Sequence, residues 1–329
     1  HRRPRPGLLP VLSALGVMWN TTPALSDEVC RSVTEANSLR DGIEALIRRG
    51  IRLEYKRTLR LVQRTGALST AARDAWVEQM LEGPPVRGEL RGRTVLVSVD
   101  GGRLRERRRR RGRRRKSGHH GFDAPWREPR LLVIEVLDDE GRVDPRFRPV
   151  YDATLGNADA LFDLLQAHLR SLGAHEARTL VFAADGAEWI WNRVDAMAQR
   201  LGLQGETVQV VDFSHAVGTL HTVAKSCRNW SDARRRRWVS SVEGLLYRGQ
   251  VDAVADAIRE VAKGRRAKAV LSHVGYFEGN THRMRYDDLR RRNLPQGSGA
   301  VESAIRRVVN LRLKSAGKFW LEPNAEAVL

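Results

Sequence analysis

Acidic residues at the ends of predicted strands, with one more on a late predicted helix, are the side chains of this 329-residue chain best suited to chemistry. Asp100, Asp185 and Asp212 each end an aliphatic run, and Glu302 follows a Gly-Ser-Gly turn. Mg²⁺ prefers oxygen ligands and keeps several waters, so it needs only a few carboxylates at one place. Because the carboxyl ends of parallel strands lie together in an open α/β sheet, Asp100 and Asp185 could be neighbours. A pair of metal ions there would activate an attacking water or hydroxyl and stabilise the leaving oxygen of a phosphodiester.

A structural role explains each aspartate as simply, because Asp after a strand is often a helix N-cap or a turn former. Glu302 fits such a role less well. If Ser298 capped the following helix, a capping box would place its acid at position 301, where the chain has Val301. The helix is predicted to pack inward through Val301, Ile305 and Val308, which leaves Glu302 at the flank of that face.

The elements that must position these residues follow from hydrophobic periodicity. Aliphatic runs predict strands at 94–100, 131–137, 148–154, 179–185 and 207–212. Helices are predicted at 157–172, at 186–201 and from about residue 214. Three early strands followed by alternating helices and strands predict a mixed α/β sheet.

Four segments are predicted: a helical N-terminal region at 1–90, the first part of the sheet-bearing core at 91–225, an all-helical segment at 226–293 and a final helix region at 294–329. In the first segment, one helix is predicted to begin at 26–28, two at 41–49 and 53–63 flank Gly50, and another follows at 70–81. The pair around Gly50 could be a DNA-binding helix-turn-helix whose second helix carries Lys56, Arg57 and Arg60. An ordinary helical hairpin accounts for the same pattern.

The basic excess of the chain predicts a polyanionic partner, most simply nucleic acid. There are 58 Lys and Arg residues against 39 Asp and Glu residues, which gives a formal charge of +19. Nine of the ten residues at 107–116 are basic, and such a run predicts a solvated loop at 103–130, between the first two strands. The run could contact phosphates without sequence preference, or it could simply be solvated.

Cysteine content and hydropathy both favour a cytoplasmic location. Cys30 and Cys227 are too few for a disulfide framework, which indicates a reducing compartment. No apolar stretch approaches the roughly 20 residues needed to cross a bilayer. A cytoplasmic protein without a membrane partner is therefore expected.

Four motifs together resemble a known family. They are Val-Asp-Gly-Gly at Asp100, Ala-Asp-Gly at Asp185, Asp-Phe-Ser-His from Asp212 to His215, and Gly-Ser-Gly-Ala-Val-Glu-Ser around Glu302. In this order they resemble the DDE transposases of bacterial insertion sequences, nearest to the Kra-type group allied to the Mutator-like branch. The stretch 310–320 resembles the family's continuation, so that the resemblance covers about residues 94–329.

The resemblance implies a ribonuclease-H-like mixed sheet, interrupted by an all-helical insertion and preceded by the helical N-terminal region. It implies that Asp100, Asp185 and Glu302 are the catalytic residues and bind Mg²⁺, with Mn²⁺ as a substitute. The implied reaction is hydrolysis at transposon ends, followed by attack of the exposed 3′-hydroxyl on target DNA. The implied partners are double-stranded DNA, at transposon ends and target, and further copies of the chain in a homodimer or higher oligomer on DNA. The implied location is the bacterial nucleoid.

Several residues are candidates for contact with DNA: Asp212, His215, Arg306, Arg312, Lys314, Arg107, Arg113, Trp230 and Trp238. Within the Asp-x-x-His motif, Asp212 could cap a helix while His215 contacts a scissile phosphate or a base. Capping combined with a core histidine accounts for the motif equally well. Trp230 and Trp238 are the tryptophans favoured for stacking on bases, because they lie in the basic helical segment.

Two alternatives to a transposase remain open from the sequence. One is a ribonuclease-H-like nuclease that cuts DNA without strand transfer. The other is a truncated, non-catalytic DNA-binding protein that keeps the charge but not the activity.

Overall fold

The computed structural model describes residues 12, 14–112, 120–264, 267–314 and 317–329. These residues form two compact units. The helix–hairpin unit contains the described parts of His1–Trp76, Arg103–Glu128 and Arg306–Leu329. The sheet unit contains Val77–Gly102 and the described parts of Pro129–Ile305. This division differs from the four consecutive segments predicted, because contacts between residues far apart in sequence join three separate segments into the helix–hairpin unit.

A five-stranded mixed sheet forms the core of the sheet unit. Its strands are β1 (Thr94–Gly101), β2 (Arg130–Leu137), β3 (Val150–Thr154), β4 (Thr179–Ala184) and β5 (Glu206–Val211). They lie in the order β3-β2-β1-β4-β5. The β1–β2 and β2–β3 pairs are antiparallel, whereas β4 runs parallel to both β1 and β5. The mixed α/β class and the five strands predicted from the aliphatic runs are confirmed, with small shifts at their ends.

The α-helices of the described residues are α1 (Pro23–Glu35), α2 (Leu39–Arg48), α3 (Tyr55–Glu82), α4 (Ala158–Ser171), α5 (Glu188–Leu201), α6 (Phe213–Ser226), α7 (Asp232–Tyr247), α8 (Val251–Val261), α9 (Ala267–Leu271), α10 (Val274–Gly279), α11 (Tyr286–Arg291), α12 (Gly299–Ala304), α13 (Leu311–Leu313) and α14 (Glu322–Glu326). Short 3₁₀ helices lie at Ala174–Glu176 and Thr281–Arg283, and a π-helical stretch at Ile305–Asn310 joins α12 to α13. None of the described helices has the length and apolar character that crossing a bilayer would require.

Helices cover the sheet and bury its central strands. Residues of β1 and β2 are buried along almost their whole length, as expected for strands covered on both faces. Helix α4 packs against β2, β3 and α5, and α12 packs against β1 and β2. Asn157 caps α4 by accepting a 2.9 Å hydrogen bond from the amide of Ala160. The site-bearing helix α12 is therefore anchored on the two central antiparallel strands.

The first three helices share a small apolar core made by Val29, Leu46 and Leu61. The predicted turn at Gly50 lies between α2 and α3, where a positive φ of +83° suits glycine. Lys56, Arg57 and Arg60 are exposed on α3, on the surface that a helix-turn-helix would present. The helix pair is confirmed, and its binding to DNA stays a prediction.

Two sequence-based helix boundaries in this region are wrong. Helix α1 begins at Pro23, three residues before the predicted start, because Thr22 accepts a hydrogen bond from the amide of Leu25. The separate helices predicted at 53–63 and 70–81 are one continuous helix, α3. It continues through Gly66 because glycine allows close packing there: a Cβ at this position would lie 2.7 Å from the Cβ of Ala327.

The loop predicted at 103–130 is partly an ordered hairpin. Strand Leu104–Arg105 pairs with Trp126–Arg127, and Arg108–Arg109 pairs with Phe122–Asp123. Glu106 is buried between these short ladders and forms ion pairs with the guanidinium groups of Arg108 and Arg127 at 2.8 and 3.1 Å. Arginines that face outward alternate here with Leu104 and Glu106, which face inward. This alternation is typical of a strand, and counting like charges does not detect it.

The described residues of the segment 226–293, which has a gap at 265–266, form helices joined by short turns, with no strand among them. They contain α7 to α11, of which α7 and α8 are the longest. Contacts link α7 with α6 and α8, and α8 with α10. The prediction of an all-helical segment is confirmed for these residues.

The helix that carries Glu302 departs from the predicted inward face. Val301 and Ile305 are buried as predicted, but Val309 is fully buried while Val308 is only half-buried. The cause is the π-helical stretch. Its turns are wider and contain more residues, so the position that faces inward moves from Val308 to Val309. The predicted helix therefore reaches Leu313, although not as a regular α-helix.

Glu135 is a buried acid in the middle of β2, opposite Leu96, and only 7% of its surface is exposed. Burial raises the pKa of its carboxyl group, so folding stability falls as the pH rises from the ordinary carboxyl pKa towards the folded-state pKa. Glu135→Met keeps the volume and removes the charge. We expect it to raise the free energy of unfolding at neutral pH by about 1 kcal/mol and to flatten this pH dependence in urea titrations. The exposed Glu128→Met serves as the control, and an equal effect of both variants would contradict the explanation by burial.

Candidate active site

Asp100 lies at the centre of the candidate site, near the end of the central strand β1. Its Oδ1 accepts a 2.6 Å hydrogen bond from the amide of Gly101. Burial is the main cause that raises the pKa of Asp100, and the negative charges of Asp185 and Glu302 raise it further. The Gly101 amide and the imidazole of His215 act in the opposite direction. Three of the predicted acids therefore share one electrostatic environment, although they are far apart in sequence.

Asp185 follows β4, the strand that runs parallel to β1. Its Oδ1 accepts a 3.0 Å hydrogen bond from the amide of Ala187, which is the N-cap residue of α5. Asp185 is thus a turn former, as the structural alternative predicted, and its carboxylate also acts on Asp100. The turn takes one carboxylate oxygen of Asp185, so its role as a metal ligand stays a prediction.

Glu302 lies on the exposed side of α12, with 56% of its side chain accessible. Its Oε1 is 3.4 Å from Nε2 of His215, whose side chain is 39% accessible. His215 is therefore not a core histidine, and the sequence interpretation that placed it in the core is wrong. The imidazole instead extends from α6 towards the carboxylate of Glu302, which it can orient.

Asp212 is buried, with 2% of its surface exposed, and it joins the start of α6 to the turn before α12. Its Oδ1 accepts a 3.1 Å hydrogen bond from the amide of His215, which confirms the predicted N-cap. Its Oδ2 accepts hydrogen bonds from the amide and the hydroxyl of Ser298, at 2.6 and 2.9 Å. A Cβ at Gly297 would lie 2.9 Å from the same Oδ2, so glycine is what lets the turn approach the carboxylate.

These contacts change the role of Asp212. Burial acts to raise the pKa of its carboxyl group, but hydrogen bonds from Ser298 and His215 outweigh that effect and lower the pKa. The expectation that Asp212 contacts DNA directly is wrong in this structure, because the side chain is enclosed and both its oxygens have partners. Asp212 is a positioning residue for His215 and for the turn that leads to Glu302. Ser298, although at the N-cap of α12, uses its hydroxyl on Asp212 and not on the helix.

Tyr276 on α10 is a site residue that the sequence did not indicate. Its ring lies against Gly186, and its phenol lies near Thr219 of α6. Burial raises the pKa of this phenol, and the charge of Asp185 raises it further. The helical segment thus contributes a neutral hydroxyl beside the second acid. The sequence contains one indication of this contact. Gly186 follows Asp185, and a glycine leaves space for a neighbouring ring.

Gly186→Ala should displace the Tyr276 ring, because a Cβ at position 186 would overlap it. Overpacking of this kind costs about 2 kcal/mol, so we expect a lower midpoint in urea unfolding. Gly218→Ala on α6 is the matched control, since nothing lies within 4 Å of a Cβ there. If Gly186→Ala were as stable as the control, the close contact with Tyr276 would be disproved.

The donor chemistry of the three acids fits a hard divalent cation such as Mg²⁺. Among the residues that the structure describes, Asp100 Oδ2, Asp185 Oδ2 and Glu302 Oε2 have no hydrogen-bond partner, so each acid keeps an oxygen for a metal. The side chains as they lie do not yet form a cage, because no group of three or more His, Cys, Asp or Glu side chains among the described residues is close enough to hold an ion. Closing the site around a cation requires these side chains to turn towards each other.

The remaining predicted DNA contacts lie on both units. Arg107, Arg306, Arg312 and Lys314 are exposed, as such contacts require. Arg113 lies outside the described residues, as do neighbours of it in the basic run. The favoured tryptophans, Trp230 and Trp238, are half-buried and pack edge to face at 5.8 Å, with Arg234 over the Trp230 ring at 4.7 Å. Each ring therefore covers part of the other, which leaves less ring surface for stacking on a base.

Comparison of the chain with protein-family models, with curated proteins and with solved structures found no match. The function is therefore inferred from the geometry of the site and from the charge of the chain.

Proposed function

We propose that this protein is a DDE transposase that cleaves DNA at transposon ends and transfers the 3′-hydroxyl to target DNA. Asp100, Asp185 and Glu302 are the catalytic residues of this proposal. The observation that carries it is that these three residues, far apart in sequence, belong to neighbouring elements of the sheet unit: β4, which Asp185 follows, pairs with β1, and α12 packs against β1. The charges of Asp185 and Glu302 accordingly add to the burial that raises the pKa of Asp100. Carboxylates that repel each other are costly to assemble unless a cation binds between them.

The sheet supports a ribonuclease-H-like assignment of the sheet unit. Asp100 is on the first strand, which is central, and Asp185 follows the fourth strand, which is its parallel neighbour. Glu302 is on a helix that comes after the helical segment. This is the arrangement that the family resemblance implies, and the helical segment takes the place of the insertion.

Each residue has a role that its contacts allow. The free oxygens of Asp100, Asp185 and Glu302 would hold Mg²⁺, or Mn²⁺ in its place. When bound, the metal would supply charge that activates the attacking oxygen and stabilises the leaving one. His215 holds the Glu302 carboxylate by the 3.4 Å contact, and Asp212 fixes both His215 and the turn before α12. Tyr276 closes the Asp185 side of the site with its ring against Gly186, and burial together with the charge of Asp185 raises the pKa of its phenol.

The basic excess of the chain supports a DNA substrate. A formal charge of +19 favours a phosphate backbone as partner, with binding that weakens as the salt concentration rises. Assembly as a homodimer or higher oligomer on DNA belongs to the same proposal, because transposon ends occur in pairs.

A non-catalytic DNA-binding protein is the second candidate. It is favoured by the observation that the described side chains form no ready metal cage. A nuclease without strand transfer would use the same three acids, so only the products of the reaction can separate it from a transposase.

The test uses duplex oligonucleotides with the terminal sequences that flank the gene, incubated with Mg²⁺ and either wild-type protein or Asp185→Ala. A transposase cleaves and joins in the wild type, while the variant binds DNA equally and does neither. Cleavage without joining identifies the nuclease. Equal binding by both proteins, with no reaction from either, overturns the enzymatic proposal in favour of the DNA-binding protein.

A further inference from the structure

We propose that Trp126, with Arg105 and Lys314, forms a stacking platform for an unpaired nucleotide of DNA. The inference rests on the proposed action on DNA and names where one nucleotide at an opened or frayed end is held. All three residues of the platform belong to the helix–hairpin unit, whereas Asp100, Asp185 and Glu302 belong to the sheet unit.

The geometry of the platform follows from the hairpin register. Arg105 and Trp126 are directly opposite each other in the antiparallel ladder, so their side chains share one face. The Arg105 guanidinium is 4.7 Å from the centroid of the Trp126 ring, and the Lys314 ammonium is 5.8 Å from it. Half of the Trp126 surface remains exposed. An exposed indole with two cations beside it offers stacking surface to a base and positive charge to its flanking phosphates.

Charge distinguishes this face of the hairpin from the opposite one. Arg103, Arg105 and Arg107 are exposed on alternate positions, and no carboxylate pairs with any of them or with Lys314 among the described residues. On the inward side, Glu106 is matched by two arginines, and a hydrogen bond from Arg108 is the main cause that lowers its pKa. The outward face is therefore a row of cations without counter-charge, which favours phosphate groups.

Phe122 of the hairpin and the two tryptophans of the helical segment are less available. Phe122 packs edge to face against Phe319 at 5.1 Å, so its ring is part of the packing of the unit. Trp230 and Trp238 pack against each other in the same way. Trp126 is the more exposed ring, and it has cations and no aromatic partner within the described part of the hairpin.

The chemistry requires an unpaired nucleotide. Inside a duplex both faces of each base are covered by neighbouring bases, so an indole can stack only where a strand end frays or a base leaves the helix. Stacking on the open part of the Trp126 ring would place the adjacent phosphates near Arg105 and Lys314. Blunt duplex DNA offers no unstacked base, so it would contact only the cations that share the hairpin face with Trp126.

The experiment measures binding without divalent metal, so that it does not depend on cleavage. The probe is a duplex with a short 3′ overhang that carries 2-aminopurine, and the same duplex with blunt ends is the reference. Trp126→Ala, Trp126→Phe and Lys314→Ala are compared with wild type, and thermal melts confirm that each variant folds. Trp19→Ala is the matched control, because Trp19 is also exposed and lies under a single arginine, Arg64, in the same unit.

We expect Trp126→Ala to weaken binding of the overhang about tenfold, with little change for the blunt duplex, and to remove the change in 2-aminopurine fluorescence. Trp126→Phe should restore most of both. Lys314→Ala should weaken both DNAs and lower the slope of log affinity against log salt by about 1. Equal losses on both DNAs for Trp126→Ala, or an equal loss of overhang binding in Trp19→Ala, would overturn the platform. Failure of cleavage with Mg²⁺ while overhang binding stays normal would instead count against the proposed function alone.

Discussion

Asp212→Ala is expected to lower the free energy of unfolding by about 3 kcal/mol and to reduce DNA cleavage strongly, although Asp212 does not reach the substrate. The loss of stability follows from the donors that would lose their acceptor: the amide of His215, and the amide and hydroxyl of Ser298. Each buried donor left unpaired costs about 1 kcal/mol or more. The loss of activity follows from the displacement of the turn that leads to Glu302.

Asn157→Ala is the matched control, because Asn157 caps α4 with a single 2.9 Å hydrogen bond and no contact of this kind elsewhere. Loss of a cap alone costs about 1 kcal/mol. Urea unfolding of both variants measures the difference, and the excess for Asp212 reports the link to Ser298. Equal losses in the two variants would mean that Asp212 is no more than a helix cap.

The pH dependence gives an independent check of the same contact. Hydrogen bonds lower the pKa of Asp212 in the folded protein, so its contribution to stability is complete above the unfolded-state pKa and is lost as the pH falls through the folded-state pKa. The stability difference between wild type and Asp212→Ala should therefore shrink as the solution is acidified below the ordinary aspartate pKa of about 3.9. A difference that stays constant would show that the Asp212 carboxylate charge does not contribute.

Glu302→Gln should reduce Mg²⁺-dependent cleavage about a thousandfold while leaving stability and DNA affinity almost unchanged. Glu302 is more than half exposed, and its one ion pair among the described residues is with His215. The amide keeps the shape of the side chain and removes the charge that a metal would need. Steady-state cleavage and electrophoretic mobility shifts measure the two effects.

The same substitution should also shift the titration of Asp100. Because the Glu302 charge raises the pKa of Asp100, its removal should lower that pKa, which carbon-detected NMR of the carboxyl groups can follow. Glu260→Gln on α8 provides the control, since Glu260 is exposed and no hydrogen bond or ion pair of its side chain is found among the described residues. An unchanged Asp100 titration in Glu302→Gln would show that the two carboxylates do not share a site.

The sequence was most informative where residue type alone decides the structure. The aliphatic runs at 131–137 and 179–185 are short and apolar throughout, which favours buried strands, and they form β2 and β4. The acids that end such runs could be placed at one edge of a sheet before any coordinates were known. The formal charge of +19 likewise predicted a polyanionic partner.

The remaining features depend on contacts between residues distant in sequence, which periodicity does not report. Gly66 would end an isolated helix, but the approach of Ala327 makes glycine suitable there. Tyr276 reaches the site because Gly186 leaves room for its ring. The two strands of the arginine-rich hairpin are joined where buried Glu106 pairs with Arg127 of the opposite strand. In each case the deciding partner lies outside the window in which a local pattern is read.

The contact between Asp212 and Ser298 also closes a ring in the chain. These residues are 86 positions apart, and the backbone pair formed by the amide of Phe213 and the carbonyl oxygen of Gln296, at 2.9 Å, lies beside them. The chain between them, which includes the helical segment, is therefore a loop whose two ends meet beside the candidate site, and Arg283 and Tyr286 tie it to β5 as well. The entropic cost of closing such a loop rises only slowly with its length, so a long segment can stand between β5 and α12 at little cost. Asp212 thus keeps His215 and the turn before Glu302 together across that whole length of chain.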